Sequence, residues 1–301
     1  MTKRFLFVSL LLSLFSVCSA CSMAGFGLSI ANGLAKTGEY TLAESVNYGP
    51  EIGNRLDIYR PLVEGEALSE KLPVVVFFYG GCWGACSSFS KDSYVFVAEA
   101  LTSKRYVSVI VDYRRYPDVR FPVIIDDARL SVEWVKEHIG EYGGDAERIF
   151  LMGHSAGAHM AAMLTLNEQY LSTETYGRIK GFVGLAGPYD FLPLSPGYQQ
   201  AVFGPEEKYP ASQPINFVSG NEPPLKLMYG LGDNMVKVKN IKNLSAKVTA
   251  QGGQVETNYY EGVSHAGILA AMSIPLRGRS TITADIIDFL DRHSVQSLAQ
   301  D

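Results

Sequence analysis

Past its first twenty residues the chain has no apolar run long enough to cross a bilayer as a helix, which takes about 20 residues. It also has no cluster of Lys and Arg beyond Lys3 and Arg4, and its formal net charge is −5. Nucleic acid and anionic surfaces are therefore not expected partners. Internal repeats and low-complexity tracts are absent. Cysteine is scarce, with 4 in 301 residues, and there are only 5 histidines, so a catalytic base has few candidates. What the chain does have is 47% hydrophobic content, enough at this length to bury the core of one large α/β domain.

The start of the chain reads differently from the rest. Lys3 and Arg4, a mostly apolar run from Phe5 to Val17 and the small pair Ser19-Ala20 make residues 1–20 a secretory signal, so export is expected. The stretch Val17-Cys18-Ser19-Ala20-Cys21 resembles a bacterial lipoprotein signal, which implies acylation of Cys21 and a lipid anchor in the membrane. Cys18 stands where such signals usually carry leucine, and ordinary cleavage after Ala20 or Ala24 is the alternative. With Cys18 removed and Cys21 acylated, Cys82 and Cys86 remain as an even pair in an oxidising compartment. A bridge is feasible if the two lie one helical turn apart, because their Cα separation then falls near the usual 4.4–6.8 Å range. Two free thiols are the other possibility.

The chain is organised around Gly153-His154-Ser155-Ala156-Gly157. An apolar strand from Arg148 to Met152 leads into it, and a helix from Ala156 to about Leu166 leads out. That context reads as a nucleophile elbow, a sharp strand-to-helix turn that lifts the serine hydroxyl clear of the sheet. Around it, residues 21–45 read as a tether that passes into an edge hairpin, followed by a strand from Arg55 to Pro61. Apolar runs at 72–78 and 106–111 read as buried strands, with helical spacing over 91–103 and from Phe121-Pro122 to Ile139. Further strands fall at 179–186, 225–230 and 255–260, with helices at 240–250 and 283–292. This alternation predicts an α/β domain over 46–293, a mostly parallel sheet with helices on both faces. Residues 187–224 are proline-rich and without periodicity, as a lid or pocket wall would be.

A serine hydroxyl needs a base to take its proton, and the base needs a carboxylate to hold its tautomer. On this sheet type the order is serine, acid, histidine. Only His265 and His293 lie well beyond Ser155; His293 falls at the end of the last helix, whereas His265 follows a strand. His265 is therefore the expected base. Asp233, after the strand 225–230, is the expected acid, and Asp190 is its competitor. The oxyanion donors expected are the N–H groups of Ala156 and of Gly80 and Gly81, which follow the strand at 72–78.

With those residues the chain resembles the α/β-hydrolase carboxylesterases of the hormone-sensitive-lipase-like group, and within them the BD-FAE branch (bifunctional deacetylase and feruloyl esterase), near the kynurenine formamidases. The resemblance rests on Leu56-Asp57-Ile58-Tyr59, Tyr79-Gly80-Gly81-x-Trp83, Asp112-Tyr113-Arg114, Phe121-Pro122, the elbow, and the Asp233 and His265 loops. It departs at Tyr79, where the family usually carries histidine. The resemblance implies a serine esterase acting on a small-molecule ester through an acyl-Ser155 intermediate, without metal or cofactor. An arylformamide-cleaving amidase and a surface-anchored binding protein on a retired hydrolase scaffold are the alternatives.

Overall fold

The computed structural model describes residues 27–62, 71–86 and 89–294. The expected signal at 1–20 and the acylation site Cys21 lie outside the described residues. Eight strands form one sheet: β1 Tyr40–Asn47, β2 Arg55–Pro61, β3 Leu72–Phe78, β4 Val107–Val111, β5 Gly144–His154, β6 Ile179–Leu185, β7 Leu225–Gly230 and β8 Val255–Tyr260. Their spatial order is β1-β2-β4-β3-β5-β6-β7-β8. β1 pairs antiparallel with β2 and β2 antiparallel with β4, while β3 to β8 pair in parallel with one another.

Every residue of β3, β4 and β7 is buried. Successive side chains of a strand point to opposite faces, so this pattern requires both faces of the sheet to be covered. Helices α1 (27–35), α2 (Val95–Thr102), α3 (Val123–His138), α4 (Ala156–Leu166), α5 (Thr173–Tyr176), α6 (Tyr198–Phe203), α7 (Lys239–Ala250), α8 (Gly267–Ala270) and α9 (Ile282–Ser294) complete the described fold. α4 packs on β5 and β6, α2 on β4, and α9 on β6. The edge strands differ: β1 is mostly exposed, and β8 alternates between half-buried and exposed positions.

The expected tether at 21–45 is corrected from residue 27 onward. Residues 27–35 are helical, and β1 begins at Tyr40. The helix is fixed by contacts remote in sequence: Ala31 and Ala35 are buried, and the Asn32 amide donates to Ser93 O and accepts from Phe96 N. The helical stretch expected at 91–103 is a short 3-10 turn, Lys91–Tyr94, followed by α2.

The strand order reverses at β3, which has β4 on one side and β5 on the other. Loops leaving the carboxyl ends of β3 and β5 diverge there, and open α/β sheets bind ligands in that crevice.

Candidate active site

Ser155 sits between β5 and α4 with φ 55° and ψ −122°, a conformation that costs a non-glycine residue about 1–3 kcal/mol. Its N–H is held by Leu185 O at 2.9 Å. The flanking glycines are dictated by space. A Cβ at Gly157 would lie 1.9 Å from Phe78 O, and one at Gly153 would lie 2.4 Å from the carbonyl of Gly157. The end of β3, the elbow and the first turn of α4 thus meet backbone to backbone.

His265 and Asp233, on the loops after β8 and β7, form a pair with His265 Nδ1 2.7 Å from Asp233 Oδ2. The carboxylate can only accept here, so Nδ1 carries a proton, which leaves Nε2 as the nitrogen able to take one from a neighbour. The other carboxylate oxygen accepts from Met235 N at 2.8 Å and Val236 N at 3.0 Å. Burial pushes the Asp233 carboxyl up, but the His265 and Val236 N–H groups, the His265 charge and the Met235 N–H outweigh it and hold the carboxyl below its ordinary value. Asp190 is turned elsewhere: its carboxylate accepts from Asn243 on α7 at 2.6 Å. His293 packs on Phe289 within α9.

His265 is tied to the turn around Ser155 through His154. His154 Nε2 donates to His265 O at 2.9 Å, and the two ring centroids are 4.8 Å apart. Burial and the neighbouring His265 charge push the His154 pKa down to about 3, so the ring stays neutral at physiological pH. No hydrogen bond joins the Ser155 hydroxyl to His265 among the described residues. Contacts of this kind often tighten only when substrate is bound.

The loop after β3 approaches from the other side. A Cβ at Gly80 would lie 2.9 Å from Ser155 Cβ, which places this glycine directly against the serine. Gly81 has φ 122°, a region that favours glycine. None of the described residues accepts a hydrogen bond from the N–H of Gly80, Gly81 or Ala156. Tyr79, in place of the usual histidine, is braced by Asp112: its hydroxyl donates to Asp112 Oδ1 at 2.5 Å, and the same oxygen accepts from Lys91 N at 2.8 Å. Tyr113 OH holds Tyr79 O at 2.8 Å, and Tyr94 stacks on the Tyr79 ring.

Cys82 and Cys86 are joined by a disulfide with Cα atoms 5.3 Å apart. The segment is not a regular helical turn, since Cys82 and Trp83 both have positive φ. Trp83 leads to a connection that sequence reasoning missed. Its indole N–H donates to His159 Nδ1 at 3.2 Å, and His159 Nε2 donates to Ser212 O at 2.8 Å. His159 is fully buried, which pushes its pKa down to about 4. It thereby links the loop after β3, α4 and the irregular segment. The only sequence signal was a second histidine one turn beyond the nucleophile.

Ser155 and Ala156 open onto a cavity of about 390 Å³. Cys82 and Trp83 line it together with residues between Pro188 and Gln199 and between Met235 and Asn240.

The sequence profile of BD-FAE matches residues 56–248. The chain belongs to the BD-FAE family. It is similar to kynurenine formamidase of Danio rerio, 31% identical with 74% of this chain and 69% of that one covered. It is also similar to isoprenylcysteine alpha-carbonyl methylesterase ICME of Arabidopsis thaliana, 28% identical over 85% of this chain. This BD-FAE chain spans 64% of that methylesterase and 52% of a second one from the same plant. Among solved structures, a hyperthermophilic esterase from the archaeon Pyrobaculum calidifontis superposes with a TM-score of 0.73 at 20% identity, covering 93% of this chain and 94% of its own. That likeness shows the α/β-hydrolase fold.

Proposed function

We propose that the protein is a serine esterase that cleaves carboxylic esters through an acyl-Ser155 intermediate. The observation that carries this reading is the Asp233–His265 pair, linked to His154, the residue next to a strained serine. His265 Nε2 takes the Ser155 proton as the oxygen attacks the ester carbonyl carbon, and the carbonyl electron pair moves to oxygen. The N–H groups of Ala156 and of Gly80 or Gly81 face that oxyanion, aimed at charge that develops only in the transition state. Collapse of the tetrahedral adduct breaks the bond to the alcohol, which leaves with the proton from His265. Water then repeats the sequence on the acyl-enzyme. Asp233 holds the tautomer and stabilises the imidazolium at both steps.

A panel of nitrophenyl esters of graded acyl length, with an acetylated sugar, a feruloyl ester and a formanilide, tests the reading. Ester turnover above formanilide turnover, with Ser155 labelled by a fluorophosphonate, is expected; no labelling would overturn it.

Export and acylation of Cys21 belong to the same proposal. Both are supported by the pattern of residues 1–21, and export also by the Cys82–Cys86 disulfide, a bond rare in reducing compartments. Cells fed a clickable fatty acid should label the wild type but not Cys21→Ser. An unlabelled wild type would leave plain secretion.

A further inference from the structure

The cavity beside Ser155 is unequal in charge. Its lining includes two lysines, Lys237 and Lys239, and no aspartate or glutamate. Neither lysine forms a salt bridge among the described residues. Lys239 Nζ donates to Leu192 O at 2.9 Å, which occupies one of its three protons. Lys237 is exposed, and its ammonium has no hydrogen-bond partner among the described residues. Asp233 and Asp190, close in sequence to lining residues, are paired with His265 and Asn243.

Lys239 gains the contact to Leu192, but the helix end on which the two lysines stand favours neither charge. They flank the start of α7, whose first turn has no acidic residue and whose N-cap, Val238, has no side-chain hydrogen bond. The positive end of a helix favours negative charge, so two cations there work against the dipole. Such a local conflict is expected where function overrides stability. Within the lining, Trp83, Phe191 and Leu194 are buried, while Lys237 and Met235 are exposed.

We infer that this cavity takes an amphiphilic ester arm, apolar next to the ester bond and ending in a carboxylate that Lys237 and Lys239 bind. The inference rests on the esterase reading and adds a substrate class to it. Binding of the carboxylate is charge-assisted, and because Lys237 is exposed its contribution is that of a partly solvated ion pair.

The experiment uses two matched pairs of esters on the full chain. 4-Nitrophenyl pentanoate against 4-nitrophenyl hydrogen glutarate places the carboxylate on the acyl arm; phenyl acetate against 4-carboxyphenyl acetate places it on the alcohol arm. In one pair the anionic ester should have a kcat/KM about three- to tenfold above its neutral partner, expressed in KM and reduced by salt. Lys237→Met should lower that ratio, Lys237→Glu should invert it, and Lys239→Met should deepen the loss, with unchanged Tm for the Lys237 variants showing that they are folded. A ratio at or below one in both pairs, or a ratio that these substitutions leave unmoved, overturns the inference. Turnover of the neutral esters tests the esterase reading separately. If none is turned over, the labelling rates of an alkyl and a carboxyalkyl fluorophosphonate at Ser155 read the same preference. Failure of both reagents to label would sink the two readings together.

Discussion

The nucleophile elbow and the pocket wall border one cavity but are built in opposite ways. At the elbow, position is set by main chain: β3 and β7 are buried throughout, Gly153 and Gly157 leave no room for a Cβ, and Ser155 is forced to φ 55°. The wall, residues 187–224, holds a short α6 and three 3-10 turns tied down largely by side chains. The Asn240 amide oxygen accepts from Tyr189 N and Asp190 N, and Gln213 Oε1 accepts from Phe191 N. Reaction geometry is thus fixed by elements that cannot change singly, while pocket shape depends on side chains that can. A rigid frame with a replaceable wall is how one fold serves many substrates.

Breaking the elbow should have the largest effect. Ser155→Ala is expected to lower kcat by roughly 10⁶-fold with the fold intact, read by nitrophenyl ester turnover and circular dichroism. A mutant that keeps a tenth of wild-type activity would remove the elbow from the mechanism. Asp233→Asn should cost on the order of 10⁴ in kcat, because the amide favours the wrong His265 tautomer. Asp190→Asn removes only a contact to α7 and should cost far less, so a reversed ranking would move the acid into the wall.

Reducing the Cys82–Cys86 bond sharpens the comparison, since it lies where the two regions touch. Tyr79–Asp112 and Trp83–His159 would still hold the loop, so kcat should fall by about tenfold to a hundredfold, below the 10²–10³-fold cost of deleting an oxyanion donor. An unchanged rate after reduction and alkylation, confirmed by intact mass, would show that those contacts suffice.

Acidification should act on stability and not on the geometry of the elbow. His159 titrates at about 4 when folded and His154 at about 3, against about 6.5 for an unfolded histidine. Between those values the unfolded chain binds more protons, so stability is fully present above pH 6.5 and falls as pH drops toward 4. The slope should approach about 1.4 kcal/mol per pH unit for each residue. Urea midpoints from pH 7 to 4 measure it, and His159→Gln should flatten the curve by one residue's share.

The sequence made the elbow region legible because its signals are local. The bounds of β3, α4, β7 and β8 agree with the apolar runs and turn residues that suggested them, and Gly-x-Ser-x-Gly reports a backbone approach that only glycine permits. The Asp233–His265 pair followed from strand order and loop position. Less legible were features made by distant contacts. Residues 27–35 hold two glycines and no sustained apolar period, and contacts with Ser93 and Phe96 fix Asn32 in place. No spacing rule joins Tyr79 to Asp112, or Trp83 to His159 and Ser212, because those partners meet only after the sheet has formed.

What His159 holds at Ser212 is a main-chain carbonyl, not a side chain. Main-chain carbonyls are common to all twenty residue types, so the bond places almost no demand on which amino acid occupies position 212. Neighbouring wall residues could drift, shorten or be exchanged for a foreign segment, and the anchor would survive wherever the incoming chain offers one carbonyl at that point. For protein engineering this marks a suture line: a segment grafted between Gly187 and Pro224 can meet His159 with any residue that offers a carbonyl there, while the Asn240 amide still needs the N–H groups at positions 189 and 190.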